Sequence, residues 1–133
     1  MDTVTFSVRT GATTITDLTD RASTFVQGRG DGLLNVFVPH ATAGLAVIET
    51  GAGSDDDLAA LLAEHLLPRD RSYAHAHGSS GHGADHLLPA VVSPSTTIPV
   101  VDGRLALGVW QSIVLVDTNV DNPDRTVRFS FVS

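Results

Sequence analysis

With 133 residues, 42% of them hydrophobic, the chain has room for one domain over 1–133 and one core. A formal charge of −7, eight basic residues that are all arginine, and no basic cluster argue against a nucleic-acid backbone or an anionic membrane as partner; the lack of lysine excludes Schiff-base chemistry. Without cysteine there are no disulfides or thiolate sites, so any metal must be held by nitrogen and oxygen. The N-terminus lacks a basic n-region and a long apolar h-region, and no apolar run approaches the roughly 20 residues that span a bilayer, so a soluble cytoplasmic protein is expected.

Taken in chain order, residues 3–8 alternate, with Val4, Phe6 and Val8 on one face, and predict a strand; a second short strand is predicted over 13–16. Leu18, Ala22, Phe25 and Val26 recur at helical spacing, capped by Thr16 or Asp17 and stopped by Gly28 and Gly30. The apolar run 33–38 reads as a buried strand ending at Pro39 and His40. After a turn over 41–44, alternation places Leu45, Val47 and Glu49 on one strand face and Ala46 and Ile48 on the other. Glu49 either ends this strand in solvent or stands at the wall of a pocket. A second helix is expected from Ser54, with Asp57 completing a capping box, Leu58, Leu61, Leu62 and Leu66 as its apolar stripe, and Pro68 as its end. Asp57 is a helix cap on this reading and a site residue on the alternative one.

Residues 69–83 are the least regular part. His75, His77, His82 and His86 crowd into the chain here, and His77 and His82, set among glycines and serines, read as loop residues. A short helix is predicted from His86 to about Val92, with Pro89 in its first turn and His86 at its N-terminus. Strands over 96–101 and 104–109 flank a primed hairpin turn at Asp102-Gly103. Further strands follow over 110–117 and 126–132, the last with Val127, Phe129 and Phe131 inward. Many short strands with two or three helices between them mean an α+β fold with antiparallel or mixed sheets.

Four motifs fall in order: His40-Ala-Thr-Ala with Glu49, Asp57-Leu58, Tyr73-x-His75 with His86-Leu87, and Asp102-Gly-Arg-Leu-x-Leu-Gly-x-Trp110-Gln111. Covering about 32–128, they make the chain resemble the YjbQ-like family (UPF0047), assigned as secondary thiamine-phosphate synthases. The resemblance implies a two-sheet, sandwich-like core with helices outside and a homotrimer assembled through its sheets. It also implies an enzyme that joins hydroxymethylpyrimidine diphosphate to thiazole phosphate and releases pyrophosphate. His40, His75 and His86 are then the candidate ligands of a divalent metal, and three imidazoles with an open position suit zinc. No local spacing presents two of these three on one helix face, so the fold must bring them together.

Glu49, His86 and Gln111 become the candidate catalytic residues, and Thr42, Ser95, Trp110, Arg125 and Arg128 the candidates for binding a small phosphorylated substrate. Trp110 stacks on a heteroaromatic ring or fills the core; the two arginines bind phosphate or line a solvated strand face. A helix start at His86 could also stabilise the departing anion. The chain departs from the family at Ser93, where glycine is usual, at Leu88, where lysine is common, and over 77–83. A metal- or anion-binding module without turnover, or a phosphoester hydrolase, is the alternative.

Overall fold

In the computed structural model, which describes residues 1–75 and 77–133, the strands form two sheets in which every pairing is antiparallel. The larger sheet contains β1 (Asp2–Arg9), β3 (Gly32–Phe37), β5 (Ser95–Val101), β6 (Arg104–Leu105) and β8 (Asp124–Val132), ordered β1-β8-β3-β5-β6. The smaller holds β2 (Ile15–Asp17), β4 (Gly44–Ile48) and β7 (Ser112–Val116), ordered β2-β7-β4. Four α-helical segments are described: α1 (Thr19–Val26), α2 (Ser54–Leu61), α3 (His82–Asp85) and α4 (Leu88–Val91). None of the described helices is long and apolar enough to cross a membrane.

The period-2 pattern explains the layering. Leu34, Val36, Ile98, Val100, Val127, Phe129 and Phe131 of the larger sheet meet Leu45, Ile113 and Leu115 of the smaller, and α1 adds Ala22 and Val26, with Leu18 just before it, to this core. The opposite face of the smaller sheet, through Val114 and Val116, packs against Leu62, Leu67, Ala84, Leu88 and Val92 of the helical layer. β4 and β7 therefore have both faces covered, which is why they are continuous apolar runs. Burial of each such large side chain contributes about 1.5–3 kcal/mol.

Several expected elements are differently bounded. β3 is buried on one face only: Leu33 is 48% exposed, because among the described residues no layer covers the outside of the larger sheet. The predicted strand over 104–109 stops at Leu105, and the one from Trp110 starts at Ser112. Between them the backbone turns, with Gln111 N–H donating to the Gly108 carbonyl at 3.0 Å and Gly108 N–H to Gln111 Oε1 at 2.8 Å. Trp110 rides on this turn, 72% exposed, so it is not a core residue. Asp102 and Gly103 both have positive φ, 51° and 71°, as the predicted primed turn requires.

The expected capping box of α2 does not form. Gly53, at φ 107°, precedes the helix without a side-chain cap, and Asp57 lies exposed in a first turn whose dipole favours its charge. After α2 the chain adds a π-helical turn, Leu62–Leu66, closed by Leu67 N–H donating to the Leu62 carbonyl at 2.8 Å. The extra residue advances the apolar face by one position: Leu67 is 7% exposed, while Leu66, which a regular helix would bury, is 49% exposed.

Candidate metal centre

The histidine centre sits on the helical layer, where segment 73–86 folds back on itself. His82 and His86 bracket α3 four residues apart, which aligns their rings on one side of a helical turn. Their Nε2 atoms face each other at 3.0 Å. His75 enters from the irregular segment before α3 and stacks on His86, with ring centroids 4.0 Å apart. One ligand atom from each of His75, His82 and His86 lies within 4.8 Å of the others. Two glycines permit this closeness. A Cβ on Gly83 would lie 2.6 Å from Tyr73 Cβ, and one on Gly78 would lie 2.7 Å from the His82 ring.

The surroundings orient these rings. His82 Nδ1 lies 3.0 Å from Asp121 Oδ2, 3.1 Å from Asn119 Nδ2 and 3.8 Å from Asp85 Oδ2. Asn119 Oδ1 accepts the N–H groups of Asp121 (2.7 Å) and Asn122 (2.9 Å), which turns its NH₂ toward His82. Nδ1 serves one of these partners at a time: protonated and donating to Asp121, and then not paired with the Asn119 NH₂, His82 would present the Nε2 lone pair to a cation, the usual carboxylate-supported arrangement of a ligating imidazole. Asp85 is fully buried beneath; its Oδ1 accepts Arg69 Nη1 (2.5 Å) and Thr118 Oγ1 (2.8 Å).

Whether these residues fit a metal can be judged from their unpaired atoms. His75 Nδ1 is buried with no hydrogen-bond partner, and so is Ser79 Oγ in the same wall. Burying a polar atom unpaired costs about 1–3 kcal/mol, so such atoms point to a missing partner. Three imidazoles without thiolate or carboxylate in the set suit zinc or a similar divalent transition ion. A cleft of about 230 Å³ opens over them, lined by Arg71, Tyr73, His75, His77, Ser79 and His82 among others.

Burial and neighbouring charges shift His75, His86 and His40 toward their neutral forms. His75 is shifted below the ordinary imidazole value by burial first, then by the fields of His77, His86 and His82. His86 is shifted down by burial, His82 and His77, against an opposing pull from Asp85. His40 is lowered by burial and by Arg125, with Asp117 opposing. In the unfolded chain each ring takes its proton near pH 6.5. Below that pH the unfolded state therefore binds more protons than the fold until the lowered values are passed, so stability falls with falling pH across that window. We expect metal-free protein to lose stability, and metal affinity to fall, as pH drops below about 6.5. Denaturant melts and metal titrations at pH 7.5 and 5.5 measure both; equal values at the two pH settings would contradict the assignment.

Comparison with known proteins places this architecture. The family model described as "UPF0047 protein YjbQ-like" matches residues 4–133. The chain belongs to the YjbQ-like family. It is 64% identical over 132 residues to a UPF0047 protein of Mycobacterium tuberculosis, covering 99% of this chain and 98% of that one. To a UPF0047 protein of Archaeoglobus fulgidus it is 37% identical over 114 residues, 86% of each. Among solved structures, a protein of Aeropyrum pernix K1 superposes with TM-score 0.88 at 33% identity, covering 100% of this chain and 99% of that one. A YjbQ/UPF0047 protein of Clostridium acetobutylicum gives 0.85 at 26% identity, over 97% and 99%.

The residues matched to the YjbQ-like motifs do not all meet. Within one chain His40 does not join His75 and His86: its Nε2 accepts the Thr126 N–H at 2.8 Å, because the turn after β3 lays the ring against the start of β8. His82, expected to be a loop residue, takes its place. His86 ends α3 rather than opening a helix, so no helix N-terminus points from it; α4 starts two residues later with Pro89 in its first turn. Arg125 is 2% exposed and holds Asp117 through Nε (2.7 Å) and Nη2 (2.8 Å), with Nη2 also donating to Thr42 Oγ1 at 2.9 Å. It is neither a solvated residue nor free for phosphate, and Thr42 is engaged with it.

Glu49 follows the last residue of β4, and Gln111 precedes the first of β7, with Ile48 and Ser112 paired between them. Neither belongs to the histidine set; Gln111 lines a separate open cleft of about 670 Å³ between α1 and the 102–111 segment. Ser95 and Arg128 flank Phe37 in one row on the outer face of the larger sheet. There Ser95 Oγ accepts from Asn35 Nδ2 at 3.0 Å, and Arg128 is exposed. Sequence reasoning missed His82, Asn119, Asp121 and the Arg69–Asp85 pair. The legible signal was His82-x-x-x-His86, the i, i+4 spacing of two ligands on one helical face.

Proposed function

We propose that this YjbQ-like chain binds one divalent transition metal, zinc by its donor set, through His75, His82 and His86. We propose further that the centre serves a transfer reaction on a small phosphorylated metabolite, with thiamine phosphate as the named product. The observation that carries the reading is the convergence of three imidazoles around a buried, unpartnered His75 Nδ1 at the floor of an open cleft. A bound ion would supply Lewis-acid stabilisation to an anionic phosphate oxygen. The chain's own groups then have distinct tasks. Arg71 lies at the cleft over Tyr73, 5.7 Å from the ring centroid, where its charge favours a phosphorylated ligand. Tyr73 donates to the Pro68 carbonyl at 2.7 Å and forms a fixed wall, and the Ser79 hydroxyl is available to donate to the ligand.

The same reading takes the protein to be a cytoplasmic homotrimer. Its contact surface would be the uncovered outer face of the larger sheet, where Leu33 and Val132 are exposed and paired and where Ser95 and Arg128 lie. The test is turnover. Metal-loaded protein given hydroxymethylpyrimidine diphosphate and thiazole phosphate should release pyrophosphate and form thiamine phosphate, and His86→Ala should reduce this to background. Turnover of some other phosphoester alone would sink the named reaction and keep the class. Stoichiometric metal binding with no turnover of any phosphorylated compound would favour a binding module, a reading that the surplus imidazole of His77 supports.

A further inference from the structure

His77 stands beside the three-histidine set without being part of it. Its ring centroid lies 3.9 Å from that of His75, 5.4 Å from His82 and 6.0 Å from His86. Within the set the separations are 5.3 Å (His75–His82), 4.0 Å (His75–His86) and 4.6 Å (His82–His86). Imidazoles bound at about 2.0–2.1 Å in a tetrahedron have ring centroids about 5 Å apart. The six separations scatter around that value: the ligand atoms that lie within 4.8 Å of one another are those of His75, His82 and His86, and the His77 ring stands close enough beside them to supply a fourth nitrogen. Four imidazoles would leave a tetrahedral ion no open position, and an ion without one cannot accept a substrate oxygen.

The two outer histidines are held very differently. His82 is 11% exposed in its side chain and held through Nδ1, which lies 3.0 Å from Asp121 Oδ2. His77 is exposed, and among the described residues its ring has no hydrogen-bond partner. Gly78, at φ 85°, follows it and turns the chain back across His82. Among the described residues the tilted ring of His75, at 54°, and the cleft itself confine the His77 ring, so it can enter or leave the set without breaking any anchored contact. The cleft that receives it also contains Arg71, for which no acidic partner is found among the described residues. An anion entering there would meet that guanidinium and the fourth position together.

We propose that His77 is a displaceable fourth ligand, which closes the metal centre at rest and yields its position to an anionic oxygen of a phosphorylated ligand. The inference rests on the metal reading above and adds a gate to it. Affinity for the anion is reduced in proportion to the fraction of time that the imidazole occupies the position, so a ring bound nine-tenths of the time weakens it about tenfold.

The experiment uses cobalt(II)-substituted full-length protein, read by its visible absorption and titrated with inorganic phosphate. Wild type should bind one cobalt per chain with the spectrum of a four-nitrogen tetrahedral site. His77→Ala should keep one cobalt per chain, show a shifted spectrum, and bind phosphate at least about tenfold more tightly because no ring has to leave. His77 is exposed, so its removal leaves the fold intact, and His77→Gln supplies a second variant without a strong ligand. Identical spectra and phosphate affinities in wild type and both variants, with cobalt still lost on His75→Ala, would overturn the gate and leave the metal centre standing. No cobalt uptake by wild type would overturn the gate together with the reading beneath it.

Discussion

His82→Ala is expected to strip the protein of its metal, whereas His40→Ala should leave about one ion per chain in place. The contrast follows from where the fourth-residue spacing and the strand ends put these rings. His82 directs Nε2 into the centre, 3.0 Å from His86 Nε2, and is oriented from behind by Asp121. Loss of an outer partner alone costs metal sites about 10–100-fold in affinity, and loss of a ligand exceeds that. His40 has its Nε2 engaged by the Thr126 N–H. Elemental analysis of protein purified without an affinity tag, for wild type and each single variant, measures the effect. If His40→Ala lost its metal while His82→Ala kept it, the centre would have been placed on the wrong histidine.

Arg125→Ala should be the most destabilising single change away from the hydrophobic cores, by about 3–5 kcal/mol. The guanidinium and the Asp117 carboxylate are both withdrawn from water, with side chains 1% and 0% exposed. Thr10 Oγ1 adds a donor to Asp117 Oδ2 at 2.8 Å, and Thr42 Oγ1 accepts from Arg125 at 2.9 Å, so the pair ties β8 to the loops before β2 and β4. Removing the cation leaves a buried carboxylate with its solvation lost and its partner gone. For a chain of this size the shift in Tm should be about 10–20 °C. Arg128→Ala, exposed on the same strand, is the control and should stay within about 0.5 kcal/mol. Equal, small shifts in both variants would show that the pair is dispensable. Because Asp117 Oδ1 also accepts the Asn119 N–H at 3.0 Å, Asp117→Ala should reach further and loosen the turn that orients His82.

What the amino-acid pattern by itself determined is everything that depends on neighbours in sequence. The alternation in 45–48 and 112–116 predicts strands, and the structure buries Leu45 and Val47 in one core, Ala46 and Ile48 in the other. Asp102-Gly103 predicts its primed turn because only residues tolerant of positive φ can make one. The helical stripe of α1 and its stop at glycine are equally local. The four family motifs, read as strings, predict the sandwich with outer helices that the comparison structures share.

Tertiary structure decided the rest. Whether a strand is covered on one face or two depends on the next layer, so the apolar run 33–38 could not disclose that Leu33 faces outward. The π-helical turn that exchanges Leu66 for Leu67 has no local signature, because it is selected by how the turn meets the core. Glycines around His77 and His82 read as slack, yet Gly78 and Gly83 are small because rings and backbone press against them. A buried arginine such as Arg125 and an exposed one such as Arg128 occupy the same strand three residues apart and differ only in which sheet face they take. The three ligating rings likewise meet through a loop reversal and a single turn of helix, and that convergence exists only once the layer beneath them has packed.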